Sequence, residues 1–189
     1  MTHRGSPEPS RTAGRLRILG IDPGSRATGW GLVGGDRSRP SLLDCGIIRL
    51  SAVDDLPSRL ATLQGELSDL VVRLGPESAA VESPFHGKNS LSALQLAHAR
   101  GVILAVLAAH GLPVATYTPA TVKKSVTGSG RAPKDQVQRM VQLMLGPPAK
   151  RWPNDVSDAL AVALCHAATG GYHERVARAT RSPATKADV

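Results

Sequence analysis

A single α/β domain, with helices layered on a sheet, is the fold class this sequence predicts, and three observations predict it. Hydrophobic residues make up 41% of the 189 positions and charged residues 20%, which is enough for one core and too little chain for two ordinary domains. Only 2 Trp, 2 Tyr and 1 Phe are present, so the core must be built from Ala, Val, Leu and Ile. That suits helices on a sheet better than an aromatic-rich sandwich. Short apolar runs bounded by turn residues also alternate along the chain with segments of helical spacing.

Leu16 to Ile21 (LRILGI) is a short apolar run ending in Asp22-Pro23-Gly24, a strand feeding a tight turn. Trp30 to Val33 and Leu42 to Leu50 read as the next two strands, separated by a polar turn from Gly34 to Pro40, so the opening is a meander. Leucines at 56, 60, 63, 67, 70 and 74 keep a helical spacing that Gly75-Pro76 closes. A short strand, Ser78 to Glu82, follows. Ser90 to His110 reads as a long helix, apolar on almost every face after Gly101 and so buried on more than one side, the second side against a partner subunit. Pro113 to Tyr117 is a fifth strand, Gly128 to Pro133 a loop, Lys134 to Leu145 a helix, and Asp155 to Thr169 a final helix rich in Ala, Val and Leu. The expected organisation is a basic tail over 1–15, one domain over 16–170 and a second tail over 171–189, both tails disordered.

The net charge of +8 suggests a polyanionic partner, and its distribution sharpens the suggestion. Residues 1–17 balance at +3 and residues 171–189 at +2, whereas residues 121–151 carry Lys123, Lys124, Arg131, Lys134, Arg139, Lys150 and Arg151 against Asp135 alone. A basic segment beside a mildly acidic remainder suits a phosphate-backbone binder with an acidic catalytic centre; a solvated helix and loop face is the bland alternative. No uninterrupted apolar stretch of about 18 residues and no cleavable leader pattern is evident, so a cytoplasmic protein without a membrane span is expected. Cys45 and Cys165 form neither a metal pattern nor a disulfide framework and read as reduced thiols.

Four carboxylates stand at the ends of these elements. Asp22 ends the first strand, Glu82 ends the fourth, and Asp155 and Asp158 open the last helix three residues apart, on one face of its first turn. Each has a local explanation: Asp before Pro-Gly forms turns, Glu82 can leave a strand for water, and the two aspartates complement a helix dipole behind an Asn154 cap. Together they describe acids from distant parts of the chain that an α/β layer can gather. Four like charges stay ionised in close quarters only with cations between them, and all-oxygen ligation selects magnesium or manganese. Two such ions about 4 Å apart can activate water and stabilise the leaving oxygen of a phosphodiester.

These residues carry a resemblance. Gly20-Ile21-Asp22-Pro23-Gly24-Ser25-Arg26-Ala27-Thr28-Gly29-Trp30-Gly31 resembles the first motif of the RuvC family of bacterial Holliday junction resolvases. Ala80-Val81-Glu82 with Phe85 and Lys88-Asn89, then Ala97 to Gly101, resemble its second. Thr118-Pro119-Ala120 through Lys123, the GSGRAPKDQV stretch, and Asp155 to Ala163 with Cys165-His166 complete the series in the family's order, from about Leu16 to Ala168. Trp30 stands where Tyr is usual, and the third acidic position, His in some members, is Asp155.

The resemblance implies a ribonuclease H-like fold, a five-stranded mixed sheet whose first three strands are antiparallel, flanked by helices. It implies that Asp22, Glu82, Asp155 and Asp158 are catalytic metal ligands for two magnesium ions, with manganese able to substitute and Asp22 shared. Lys123 and Lys134 match cleft lysines near the scissile phosphate, Arg131 lies in the basic loop as a further DNA contact, and Phe85 matches an aromatic near the junction centre. An exposed aromatic there can stack on an unpaired base, whereas a core residue is the bland reading. The implied activity is paired symmetric nicking of four-way DNA junctions in recombination and repair. The implied partners are a second copy of the chain and the branch-migration proteins RuvA and RuvB.

Three rivals remain at this stage. The Asp22 turn beside Ser25 and Thr28 also resembles the phosphate loop of actin-like ATPases and sugar kinases, which need two such domains. A non-catalytic nucleic-acid-binding module explains the basic segment but not the carboxylates. A related nuclease that processes ribosomal RNA precursors is the nearest enzyme. His166 lies eleven positions after Asp155, roughly 16 Å along the axis, too far to share its metals. His98 and His110 read as core or interface histidines, and Lys150 and Arg151 as a solvated turn.

Overall fold

The computed structural model describes residues 16–36, 39–83, 90–148 and 151–180. The expectations for residues 1–15 and 181–189, for Lys150 and for Phe85 fall outside them. Five strands, β1 (Leu16–Asp22), β2 (Ala27–Asp36), β3 (Arg39–Arg49), β4 (Ser78–Glu82) and β5 (Val114–Tyr117), alternate with α1 (Leu56–Leu74) and α2 (Ser90–Ala109) and are followed by α3 (Pro119–Thr127), α4 (Lys134–Leu145) and α5 (Asn154–Thr180). The sheet order is β3-β2-β1-β4-β5. β1, β2 and β3 pair antiparallel, while β4 runs parallel to β1 and β5 parallel to β4. This is the expected five-stranded mixed sheet.

Alternation along the strands divides the core into two layers. Leu19, Ile21, Trp30, Leu32, Ala79 and Val81 face α1 and α2, where Leu63, Leu67, Ile103 and Leu107 are fully buried. Ile18, Val33 and Ala80 face the other way, against Val122, Val126, Val137, Val141 and the buried face of α5. Because residue period in a strand is two, Asp22 and Glu82 inherit the α5 face from Gly20 and Ala80.

The structure extends or corrects several boundaries. β2 and β3 run on through most of the segment read as a polar turn, leaving only residues 37–38 between them. Helix α3 was not anticipated. Its signals are local: Thr118 caps it by accepting from the Thr121 N–H at 3.2 Å, Pro119 starts it, and Gly128 at φ 82 ends it with its N–H on the Lys124 carbonyl. Helix α5 continues past the Gly170-Gly171 pair to Thr180, eleven residues beyond the boundary at Thr169, although glycine disfavours helix by about 1 kcal/mol. Its first helical residue is Asn154 itself rather than Asp155. Among the described residues α2 is long and apolar enough to cross a bilayer by composition. Here Ala99, Ile103, Val106 and Leu107 pack it into the core. Cys45 and Cys165 are free thiols, Cys165 fully buried.

Candidate active site

The site forms where β1 and β4 end side by side. Their parallel register sets Ile21 beside Val81, so Asp22 and Glu82 leave the sheet as neighbours, at the carboxyl edge where open α/β sheets place their chemistry. Helix α5 brings the other two acids across the same face. Its approach depends on strand glycines: a Cβ on Gly20 would meet the Ala159 carbonyl oxygen at 2.1 Å, and one on Gly29 would meet that of Asp155 at 2.0 Å. Gly29 is also the cross-strand partner of Asp22. In the sequence these glycines stand only within the first motif. Glycine inside a strand, facing the helix side, is the signal of a close backbone approach.

Electrostatics show that the acids are gathered. Burial, then the charges of Glu82, Asp158 and Asp155, push the Asp22 carboxyl up to about 8 from an ordinary 3.8. Burial and Asp158 likewise raise Glu82, opposed by a hydrogen bond that it accepts from the Asp22 carboxyl and by the nearby charges of Lys134 and Lys123. Lys134 Nζ sits 2.7 Å from Asp158 Oδ2. Burial works against that ammonium, but the Asp158 bond and the charges of Asp158, Asp22 and Asp155 outweigh it and hold its pKa above the usual lysine value. Glu82, Lys123, Lys134 and Asp158 line one cleft of about 190 Å³, with Pro119, Val122, Val137 and Ala161 as its apolar wall.

All four predicted carboxylates and both cleft lysines are thus brought together. Arg131 is not among the cleft residues; it stays exposed in the loop after α3, where its N–H bonds Ser129 Oγ at 3.3 Å. His166 turns elsewhere, its Nδ1 2.8 Å from the Tyr117 hydroxyl, and His110 Nε2 lies 2.8 Å from Ser68 Oγ. Neither serves the acidic cluster, as its distance from Asp155 implied for His166; His110, read as a core or interface histidine, is exposed just past the end of α2.

Among the described residues, no three His, Cys, Asp or Glu side chains close around one point as a finished metal cage. The donor chemistry nonetheless fits a hard divalent cation. The donors are carboxylate oxygens, half-buried and mutually repelling, and the Lys134 ammonium is not enough to take the proton from Asp22 at neutral pH.

The family model for crossover junction endodeoxyribonuclease RuvC matches residues 18–166. The chain belongs to the RuvC family. A RuvC of Moorella thermoacetica is 52% identical over 162 residues, covering 85% of this chain and 96% of the relative. That of Magnetococcus marinus is 42% identical over 164 residues, 87% of this chain and 91% of the relative. A Thermus thermophilus RuvC structure superposes with a TM-score of 0.76 at 30% identity, over 84% of this chain and 97% of its own. The same organism's RuvC in complex with a Holliday junction substrate gives 0.74 at 29%, over 83% and 96%. RuvC membership decides against the kinase-like, non-catalytic and ribosomal RNA readings, and the fold is the ribonuclease H-like one that the motifs implied.

Proposed function

We propose that this Holliday junction-resolving endonuclease of recombination and repair cuts with two divalent ions held by Asp22, Glu82, Asp155 and Asp158. The observation that carries this reading is the crowding of acids that lifts Asp22 to about 8, a cost that a folded protein bears at functional sites. Oxygen-only donors select magnesium, with manganese as substitute. Such ions, when bound, supply an activated water and neutralise charge on the leaving oxygen.

The chain's own residues do the rest. Asp22 must give up its proton to become a ligand. Lys134, now against Asp158, is placed to exchange that partner for a phosphate oxygen, and Lys123 stands at the same cleft to hold the backbone. Arg131 would meet DNA from outside the cleft, and Phe85 would stack on a base opened at the junction centre.

A four-way junction has two opposed strands to cut, and each chain supplies one acidic cluster, so a two-fold homodimer fits the substrate. Leu91 and Leu94, 64% and 55% exposed on α2, support that helix as the interface. RuvA and RuvB are proposed partners on the strength of family membership alone. A DNA substrate fits the expected cytoplasmic location. The test compares a synthetic four-way junction with matched linear duplex, in magnesium and in chelator. Cutting of the junction alone, abolished by chelator, is expected; cutting that persists in chelator overturns the metal reading.

A further inference from the structure

Two rungs join α4 to the first turn of α5. Lys134 meets Asp158; one turn further along α4 and one turn back along α5, Gln138 Nε2 donates to Asn154 Oδ1 at 2.8 Å. Gln138 is 8% exposed, one of the few buried polar side chains among the described residues. Its other end is used as well: Oε1 accepts from Arg151 Nη2 at 3.4 Å, so the amide ties α4, the segment before α5 and α5 itself. A buried amide with both ends bonded is costly to misplace, which makes it a precise spacer.

The rungs differ in what the reaction asks of them. The Lys134–Asp158 rung must open if Asp158 is to bind a cation and Lys134 a phosphate, whereas the Gln138–Asn154 rung touches no reacting group. We propose that Gln138 is a positioning residue, which through Asn154 holds the first turn of α5, and with it Asp155 and Asp158, in register with Asp22 and Glu82 once the lysine rung has opened. The inference rests on the carboxylate-site reading above.

The test follows the midpoint of manganese binding in two ways: by the rise in melting temperature of the protein without DNA, and by single-turnover junction cleavage. Gln138→Leu keeps the buried volume and removes the bridge. Its metal midpoint should rise about tenfold in both titrations, the low end of what removing a direct hydrogen-bond partner of a metal ligand costs, since Gln138 acts one residue removed from Asp155. Metal-free junction affinity should stay near that of wild type, because the bridge lies outside the cleft lined by Lys123 and Lys134. Asn154→Ala, at an exposed position, removes the acceptor without touching the core and should do the same; it decides the matter if the leucine variant fails to fold. Gln138→Glu should recover most of the wild-type midpoint, because the Asn154 amide can turn and donate to the carboxylate. A packing role alone predicts the reverse order, with leucine harmless and glutamate harmful, since an apolar isostere suits a core and a buried charge does not. Unchanged midpoints in the leucine and alanine variants, or glutamate worse than leucine, overturn the proposal. Asp158→Asn run alongside separates the two readings. If it neither binds manganese nor cuts while the Gln138 variants match wild type, the bridge alone is wrong; if it cuts like wild type, the carboxylate site is wrong and the bridge falls with it.

Discussion

At Asp22, burial and three neighbouring acids act in the same direction, and the consequence is measurable without DNA. Its folded pKa of about 8 lies above the ordinary 3.8, so between those values the folded state holds a proton that the unfolded chain releases. Stability of the metal-free protein therefore falls as pH rises from about 4 to about 8. Asp22→Asn removes the Asp22 share of the dependence and leaves that of Glu82, which burial and Asp158 also raise. The variant's melting temperature should match wild type near pH 4 and exceed it by several degrees at pH 8, where 1 kcal/mol corresponds to roughly 2–4 °C for a chain of this size. A pH-independent difference would show that Asp22 is not crowded. Lys123 and Lys134 make a second residue-scale prediction, from their proposed role in holding the backbone rather than reading bases. Alanine at either position should weaken junction binding across sequences alike and reduce the slope of log K against log salt by about 1. A changed cutting preference with an unchanged slope would contradict it.

Helix α5 places half of the site, and its seat is the glycine face of β1 and β2. Gly29→Ala puts a Cβ 2.0 Å from the Asp155 carbonyl oxygen, so the helix must shift. Overpacking of this kind costs roughly 1–3 kcal/mol, and a misplacement near 1 Å can cost about a hundredfold in rate. Cleavage should fall much further than junction binding. Gly65→Ala on α1, with open space around it, is the control and should stabilise by about 0.5–1 kcal/mol. Equal behaviour of the two variants in melting and cleavage assays would remove the seating role. What was legible at this scale follows from what each element depends on. Helix α1 and strand β4 have clear periodicity and clear stops, and their observed bounds coincide with those read from the sequence. Helix α3 went unread because its nine residues carry little apolar repeat and its evidence lies in its caps. The strands β2 and β3 outrun their apolar runs because pairing with each other sustains polar positions that composition assigns to a turn. Asp22, Glu82, Asp155 and Asp158 could be picked out as element-end acids, yet the Gln138 bridge could not, since nothing local tells a buried glutamine from a surface one.

For the whole molecule, the two-layer core leaves Leu91 and Leu94 of α2 exposed and each chain carries one cluster of Asp22, Glu82, Asp155 and Asp158. Both features fit a dimer that presents two clusters to opposed strands. Sedimentation at micromolar concentration should show a dimer, and Leu94→Asp should yield a folded monomer that still carries its acidic cluster but no longer resolves junctions. A wild-type monomer, with and without a junction, would rule out paired nicking by a preformed dimer. The rate of junction cleavage by Asp158→Asn in saturating magnesium, with junction binding followed in parallel, tests the carboxylate site most directly. This substitution keeps the side chain's shape and removes one ligand charge, so cutting should cease while binding stays near wild type. Cleavage at the wild-type rate would contradict the account.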